Sequence, residues 1–423
     1  MVFLTCGRSS SESSPASRRG IAPSLLLLVA LGIQTAFCAE SLDRLKTAID
    51  RGCRWIAERQ NPDGGYGPFA EGRIKNSSDL GLTAFSLHAL TKSPRGYKAA
   101  DGPFISRAVD FILARQQADG SFYDPKDPTL ITYKTSVVVM ALSTLDPIKH
   151  SSAIRRAQDY LASQQLTEAK GYEESKHLGY GGIGYGDALR PNLSIDVFAA
   201  EALYMSGRSG SDELWRRIAV HVRRSVNGET VDPLLKELGI GTSKDGGARY
   251  APNDTRGPIE TLSDGTRIMS SYGTMGYAAL RTLLYARIDK SDPVMQGLFA
   301  WASRNFTVKE NPGMATKANP KAGQDGLYYY YHSMAKALAA FGEPIIKDSA
   351  GVEHNWAREL SDQVVSLQSE DGSWSSKSER FWENIPVLDT SYSVIVLCEC
   401  LEFLKKQEAV ERPREPVVNP EKS

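Results

Sequence analysis

The sequence has no excess of charge of either sign, because 50 Lys and Arg residues are balanced by 50 Asp and Glu residues among 423. Without a basic face it lacks the electrostatic footprint of a nucleic-acid-binding protein, so the composition disfavours that class of partner. Cysteine is scarce too: the five cysteines show no metal-ligand spacing, so neither a disulfide framework nor a zinc site is predicted. The sequence also lacks a phosphate-binding glycine loop, a serine nucleophile turn and a His-Glu-x-x-His motif, and we predict no cofactor.

No apolar run reaches the ~20 residues that a membrane-spanning helix requires. The most apolar stretch runs from Ile21 to Phe37 and follows a polar start that ends in two arginines. This arrangement is typical of a signal peptide. We therefore predict a signal peptide over residues 1–39 and export to the periplasm or beyond, with envelope or membrane-surface association. Retention of the segment as an anchor is the alternative.

From residue 40 to residue 405 the chain repeats one pattern six times. The pattern is an amphipathic helix, a Gln-x-x-Asp-Gly-aromatic turn, a polar loop and a second, more apolar helix, and four of the six copies keep the turn well. The first two copies match position by position, with their turn glycines at Gly64 and Gly120, and the fourth copy carries an insertion from Asn227 to Ile268. Residues 406–423 are charged and contain prolines, which predicts a disordered tail.

The repeat predicts how the helices pack. A lone amphipathic helix pair cannot cover its apolar stripe, so neighbouring pairs stack and bury a continuous core. The second helices, such as Thr135 to Leu142, are apolar nearly all round and should form an inner ring. We predict an all-α, single-domain (α/α)6 toroidal barrel with its functional surface at one mouth of that ring. Four glutamines should tie each turn to a neighbouring repeat: Gln60, Gln116, Gln165 and Gln368.

These repeats resemble the QW motifs of squalene-hopene cyclases and the related repeats of protein prenyltransferase β subunits. The segment from Gly326 to Leu338 also looks like part of exported bacterial squalene-cyclase-like repeat proteins. The resemblance implies a terpenoid cyclase toroid that binds an isoprenoid or another apolar small molecule. Any catalysis would be of an isomerase or transferase type.

The sequence departs from both families at their reactive groups. Full squalene-type cyclases carry two helical domains and an Asp-x-Asp-Asp acid motif, and neither is present here. Prenyltransferases hold zinc with an Asp, a Cys and a His. His332 falls where that histidine would lie, but residues 270–274 lack the other two ligands, so no metal is predicted.

Three aspartates, Asp79, Asp196 and Asp389, stand at the starts of inner helices in three repeats. These aspartates would converge on one mouth of the barrel. Asp196 and Asp389 are candidates for proton transfer, and Asp79 is a candidate ligand-binding group. The alternative is helix capping, because Asp suits the positive end of the helix dipole. His332 is a third candidate acid or base, and a hydrogen-bonded structural role is its alternative.

Aromatic residues at the inner-helix starts predict the lining of the central cavity. They are Tyr133, Tyr272, Tyr330, Tyr331 and Tyr392, with Trp382 overhanging the mouth from the last loop. Such a lining could stabilise carbocations along a polyisoprenoid or stack on sugar rings. Alternatively, the tyrosines simply fill the barrel as core. The remaining histidines share no spacing and predict no site: His88, His150, His177, His221 and His354.

Three functions stay open at this point. The first is an exported isoprenoid-binding, terpenoid-cyclase-like protein, which requires a deep apolar cavity and an acid of raised pKa. The second is a non-catalytic scaffold for a protein or an envelope polymer, favoured by a filled barrel with ordinary, capped aspartates. The third is a carbohydrate-active enzyme, which needs two carboxylates roughly 5–9.5 Å apart in an open groove. Ligand identity and oligomeric state also stay open.

Overall fold

The computed structural model describes residues 42–67, 78–186, 188–208 and 212–411. The predicted signal peptide lies outside these residues. The chain divides into two compact units between Arg44 and Leu45, and of the first unit only the start of a helix is described. The ring of helices belongs to the second unit.

Thirteen α-helices and two short β-hairpins occur in the described residues. Six helices are amphipathic: α1 (42–58), α3 (Pro103–Leu113), α5 (Ser151–Ser163), α7 (Glu213–Arg224), α10 (Pro293–Arg304) and α12 (Trp356–Ser366). Six are buried nearly all round: α2 (Leu80–Lys92), α4 (Ile131–Leu145), α6 (Leu193–Met205), α9 (Gly273–Tyr285), α11 (Leu327–Phe341) and α13 (Pro386–Glu411). The insertion of the fourth repeat holds α8 (Pro233–Glu237) and the antiparallel pair β1 (Ile259–Thr261) and β2 (Arg267–Met269), and a second pair, β3 (Ile345–Lys347) and β4 (Glu353–Asn355), precedes α12.

The buried helices form a closed ring. Each packs against the next in the order α2, α4, α6, α9, α11 and α13, and α13 packs against α2. The amphipathic helices lie outside, with α5 against α4 and α6, α10 against α9, and α12 against α11 and α13. The predicted (α/α)6 toroid is confirmed.

The turn between paired helices fixes each repeat to the next. Gly120 has a φ of +91°, and a Cβ there would lie 2.2 Å from the carbonyl oxygen of Arg156 in the next outer helix, so only glycine fits. The Gln116 side-chain amide donates to the Gly120 carbonyl at 3.2 Å and to the Ala153 carbonyl of that same helix at 2.9 Å. The predicted role of the glutamines is confirmed at all four positions: Gln60, Gln116, Gln165 and Gln368.

The last turn closes the ring on the first helix. Gln368 donates to the Ala48 carbonyl at 2.9 Å, and the Arg51 guanidinium donates to the carbonyls of Ser369 and Glu370 at 2.8 Å each. The sixth repeat therefore contacts the first through the same glutamine bonds that join consecutive repeats, and through Arg51 in addition.

The C-terminal helix α13 continues to Glu411. The helix therefore includes residues 406–411, the first six residues of the predicted disordered tail. Its helical backbone continues beyond the point where its apolar face ends. None of the helices in the described ranges is long and apolar enough to cross a membrane.

Candidate functional site

The inner helices are parallel, and their N-terminal ends surround one mouth of the ring. Hydroxyl pairs from the first two turns of these helices meet across it: Tyr133 of α4 with Tyr392 of α13 at 3.1 Å, and Ser194 of α6 with Tyr329 of α11 at 3.0 Å. Residues early in different inner helices can meet only if those helices start at the same end.

Rings from five inner helices fill the hollow just inside this mouth. This aromatic layer consists of Phe85, Tyr133, Phe198, Tyr329, His332 and Tyr392. Ring centroids are 4.3 Å apart in the tilted pair of Tyr133 and Phe198 and 6.4 Å apart in the edge-to-face pair of Phe85 and His332. The predicted cavity is therefore occupied at this depth by protein side chains.

His332 lies within the aromatic layer. Its ring is parallel to Phe198, with 6.0 Å between centroids, and lies 5.0 Å from Tyr392. Burial, reinforced by the cations Lys336 and Arg281, holds the pKa of His332 well below its usual range. The imidazole is therefore neutral, with its Nδ1 buried and without a hydrogen-bond partner among the described residues.

The predicted tyrosines divide into two groups. Tyr133 and Tyr392 lie in the aromatic layer, as expected. The prediction for Tyr330 and Tyr331 is wrong, because their hydroxyls donate to the carbonyls of Thr307 and Val308, just beyond the outer helix α10, at 2.8 Å each. A helix turns by about 100° per residue, so Tyr329 faces the hollow while the next two residues face the outer ring.

Tyr272 precedes α9 at the same mouth and is buried. Burial raises the pKa of its hydroxyl well above the usual range, and Tyr250, Tyr329 and Arg256 are among the groups nearest to it. Its position agrees with the predicted lining of the mouth.

Asp79 is the N-cap of α2. Its Oδ1 accepts a hydrogen bond from the Leu82 amide at 2.9 Å, and its Oδ2 lies 3.8 Å from the Lys134 ammonium. This is the capping alternative. Asp79 therefore has a structural task that needs no ligand.

The three aspartates occupy three different positions in their repeats, contrary to the sequence alignment, and Asp196 takes the place of a threonine. Its Oδ1 accepts from the Ile183 amide at 2.8 Å, the bond that a threonine hydroxyl makes in three other repeats: Thr83 with Tyr66, Thr135 with Phe122 and Thr390 with Trp374. Its Oδ2 lies 2.6 Å from His221 Nδ1 on the outer helix α7. Asp196 thus points away from the hollow, and the predicted convergence of three carboxylates is wrong.

Asp389 and Glu383 form a pair of buried acids beside the mouth. Asp389 Oδ2 accepts from the Ser376 amide at 2.7 Å, while Oδ1 is buried without a partner among the described residues. Burial and the neighbouring Glu383 raise the pKa of Asp389 to about 10. Glu383 Oε1 accepts from the Tyr329 amide at 2.8 Å, and burial raises the pKa of Glu383 to about 8. Both groups are therefore mainly protonated at neutral pH.

The sequence predicts that Glu383 lies with Trp382 in the last loop over the mouth, but not that it is a buried acid at the start of α11. It follows the predicted Trp382 directly, but it caps α11, a helix that starts 56 residues earlier in the chain. No local motif links a loop residue to the start of a helix so far upstream, so no signal in one sequence could have found this role.

The mouth loop, residues 376–385, carries strained and exposed aromatic residues. Phe381 and Trp382 have φ of 57° and 65°, and their exposed fractions are 43% and 58%. A left-handed conformation at a bulky residue costs about 1–3 kcal/mol and persists only where the surroundings enforce it. Arg380 anchors the loop through an ion pair with Asp325 at 3.2 Å. The structure thus places Trp382 at the mouth, next to the protonated acids.

A network of buried charges lies deeper in the ring, toward the C-terminal ends of the inner helices. Arg281 of α9 is 3.3 Å from Glu201 of α6, and the Lys336 ammonium of α11 donates to the same carboxylate. Although burial opposes ionisation, Arg281 and Lys336 hold the pKa of Glu201 well below its usual range. The chain of charges continues through Glu399 to Lys92, 3.3 Å apart, and so links five inner helices. Within the described ranges no group of three or more His, Cys, Asp or Glu side chains could hold a metal ion.

Comparison with known proteins gives one matching family. The family model of the squalene-hopene cyclase C-terminal domain matches residues 27–236. A drimenyl diphosphate synthase of Streptomyces showdoensis is 26% identical over 222 residues, which is 52% of this chain and 36% of that protein. A drimenyl diphosphate synthase of Streptantibioticus cattleyicolor is 30% identical over 128 residues, 29% of this chain and 23% of the relative. The matches thus span about a third or less of the length of these relatives.

A solved structure shares the fold over a greater length. The type II terpene cyclase MstE from Scytonema, without ligand, has a TM-score of 0.53 at 13% identity, covering 86% of this chain and 99% of that one. A variant of MstE with geranylgeranyl dihydroxybenzoate bound gives the same TM-score at 12% identity and the same coverage. In its repeats, its closed ring and these matches, the chain is similar to the squalene-cyclase-like superfamily.

Proposed function

We propose that the protein binds a linear isoprenoid at the mouth of the inner ring and protonates it to start cyclisation. The observation that carries this proposal is the buried carboxyl group of Asp389, whose Oδ1 has no hydrogen-bond partner among the described residues. Asp389 and Tyr392 are three residues apart on α13 and so share one face of the helix. The acid and an aromatic ring are thereby presented to the same end of the hollow.

Alkene protonation needs a carboxyl group that keeps its proton until the substrate arrives. Burial and Glu383 supply this condition for Asp389, as a neighbouring carboxylate does in other acid pairs. The π electrons of the alkene take the proton from Asp389, which becomes a carboxylate, and a carbocation forms on the substrate. The next double bond attacks that cation, and loss of a proton from the cyclised cation restores the acid. The ring faces of Tyr392, Tyr329 and Phe198 can stabilise the travelling positive charge.

Entry of a substrate requires the mouth to rearrange, because the rings of the aromatic layer already meet across the hollow. The mouth loop is suited to this, since Phe381 and Trp382 already hold a strained left-handed backbone. We infer that binding selects a lifted form of the loop and rotates Tyr392 and Tyr329 toward the helices.

The relatives suggest the class of substrate. Two are drimenyl diphosphate synthases, and MstE is solved both with geranylgeranyl dihydroxybenzoate as substrate and with merosterolic acid A as product. We therefore propose a linear isoprenoid with an anionic head group. The signal-peptide pattern of residues 1–39 supports the further proposal that the protein acts outside the cytoplasm.

The test is a turnover assay. Purified protein is incubated with farnesyl diphosphate and, separately, with geranylgeranyl dihydroxybenzoate, and cyclised products are identified by mass spectrometry after chromatography. We expect cyclised product from the wild type and a loss of at least about a hundredfold in Asp389→Asn, because general acid catalysis contributes about 10²–10⁴-fold. Asp79→Asn is the matched control, since asparagine caps a helix as well as aspartate does.

A second candidate is a non-catalytic scaffold, and the filled hollow favours it. Rings that meet at 4.3–6.4 Å are also what a structural core would show. If the wild type forms no product and native mass spectrometry detects no bound isoprenoid, the cyclase proposal is wrong and the scaffold remains.

A further inference from the structure

A cleft of about 590 Å³ opens beside the mouth, between the loop that precedes α6 and the segment 250–256. Its volume falls within the range of small-molecule sites, roughly 300–1,000 Å³. We propose that this cleft is a second binding site, for a small carbohydrate-like molecule that carries hydroxyl groups and a negative charge, and that His221, oriented by Asp196, binds one of those hydroxyls. This proposal does not depend on the cyclase proposal, because Asp196 and His221 lie outside the hollow.

The junction between the third and fourth repeats differs from its counterparts in two side chains at once. At the first and fourth turns an aromatic residue of the next outer helix packs on the turn glycines: Phe111 against Gly65 and Trp301 against Gly247. Here His221 takes that place against Gly182, where a Cβ would lie 2.8 Å from Nδ1. Asp196 simultaneously replaces the threonine of other repeats. Asp196 and His221 thus form a polar pair where other junctions have a threonine and an aromatic ring.

His221 keeps one nitrogen for a ligand. Both oxygens of Asp196 accept hydrogen bonds, one from the Ile183 amide and one from His221 Nδ1, which assigns the proton to Nδ1. In the neutral imidazole Nε2 is then an acceptor. His221 is fully buried, Nε2 has no partner among the described residues, and the side chain lines the cleft. A ligand hydroxyl could satisfy it.

The charges around the cleft favour an anion. Its described lining holds two arginines, Arg190 and Arg256, and one carboxylate, Asp254. Asp254 pairs with Arg256 at 3.2 Å, whereas no described carboxylate lies within 4 Å of Arg190, which is exposed at the rim. The Arg256 guanidinium also lies over the Tyr250 ring, 4.1 Å from its centre, which fixes its position. Among the described residues the lining thus has one cation in excess.

Further polar groups suit a molecule with several hydroxyls. The hydroxyls of Tyr185 and Tyr250 are 3.1 Å apart, and the Asn192 amide donates to Tyr185 at 3.0 Å. All three side chains line the cleft. Each tyrosine oxygen both donates and accepts, so the cluster can exchange a partner for a ligand hydroxyl without leaving a buried group unpaired.

The test uses three small probes and the full chain. Glucuronate carries hydroxyls and a carboxylate, glucose carries hydroxyls alone, and acetate carries a carboxylate alone. Isothermal titration should show saturable binding of glucuronate, at least about tenfold tighter than that of glucose or acetate, or about 1.4 kcal/mol. Nitrogen NMR of isotope-labelled histidine should show the His221 Nε2 resonance moving with glucuronate.

Two test variants and one control keep the test independent of folding. Arg190→Gln alters an exposed side chain, and Arg155→Gln on the exposed face of α5 is its matched control. Asp196→Thr/His221→Phe restores the side chains found at the other junctions and should fold. We expect Arg190→Gln and the double variant each to weaken glucuronate binding at least about tenfold, and Arg155→Gln to leave it unchanged. Absence of saturable glucuronate binding would overturn the proposal, as would equal binding of acetate or an unchanged affinity in the folded double variant. None of these outcomes bears on isoprenoid cyclisation.

Discussion

Two buried carboxyl groups, Asp389 and Glu383, link the stability of the ring to pH. Their folded pKa values, about 10 and about 8, lie above the ordinary values of 3.8 and 4.5. Between these limits the folded state holds more protons than the unfolded state, so the free energy of unfolding falls as pH rises. The stabilisation is complete below about pH 4 and is lost through the folded pKa values.

Asp389→Asn should remove one of these two contributions. An asparagine is close in shape to the protonated acid and can still accept from the Ser376 amide, so folding should be preserved. From about pH 5 to about pH 8, the free energy of unfolding of the wild type should fall by up to about 1.4 kcal/mol per pH unit more than that of the variant. Urea denaturation at several pH values measures the difference. Identical pH profiles would mean that Asp389 is ionised in the folded protein.

The pair of Asp196 and His221 gives a second prediction at the residue scale. His221→Phe leaves the buried carboxylate of Asp196 without its partner and should lower the free energy of unfolding by about 3–5 kcal/mol. Asp196→Thr leaves a buried imidazole nitrogen without its acceptor and should cost about 1–3 kcal/mol. The double variant should regain most of this loss, because it recreates a threonine-and-aromatic junction.

A double-mutant cycle measured by chemical denaturation checks this expectation. Additive losses from the two single changes would show that the two side chains act separately, against the 2.6 Å contact between them.

At the scale of the element, the turn is where the repeat tolerates least change. Gly120→Ala meets both a left-handed backbone and the Arg156 carbonyl, so we expect a loss of more than about 2 kcal/mol of stability. Gly171→Ala is the matched control, since Gly171 has a φ of +80° but nothing within 4 Å of a new Cβ. It should cost only the conformational strain, about 1–2 kcal/mol. Thermal unfolding of both variants compares the two, and equal losses would show that the close approach to the next helix is unimportant.

At the scale of the whole molecule, closure of the ring means that the first and last repeats contact each other as consecutive repeats do. Gln368→Ala at the closing junction and Gln116→Ala at an internal junction each remove two side-chain hydrogen bonds to carbonyls. We expect similar losses of about 1–2 kcal/mol in the two variants, measured by urea denaturation. A loss at Gln116 with none at Gln368 would indicate that the ring opens in solution.

The amino-acid sequence by itself determined the repeat, the closed ring and the turn chemistry of this protein. These depend on local interactions that recur in each copy: the glycine of the turn, the glutamine that binds the next helix, and helices with one or two apolar faces. Because the bonds of each junction are formed by residues at fixed spacing, one copy such as that around Gly120 is enough to predict the others.

The tertiary structure alone decided what the candidate site contains. Asp196 turns to His221 rather than to the hollow, Tyr329 rather than Tyr330 faces inward, and Glu383 caps a helix that lies far back in the chain. Each outcome depends on a partner that is remote in sequence, and a shift of one residue on a helix moves a side chain from one ring to the other. The raised pKa of Asp389 has the same origin, since burial and a neighbouring acid exist only once the ring has closed.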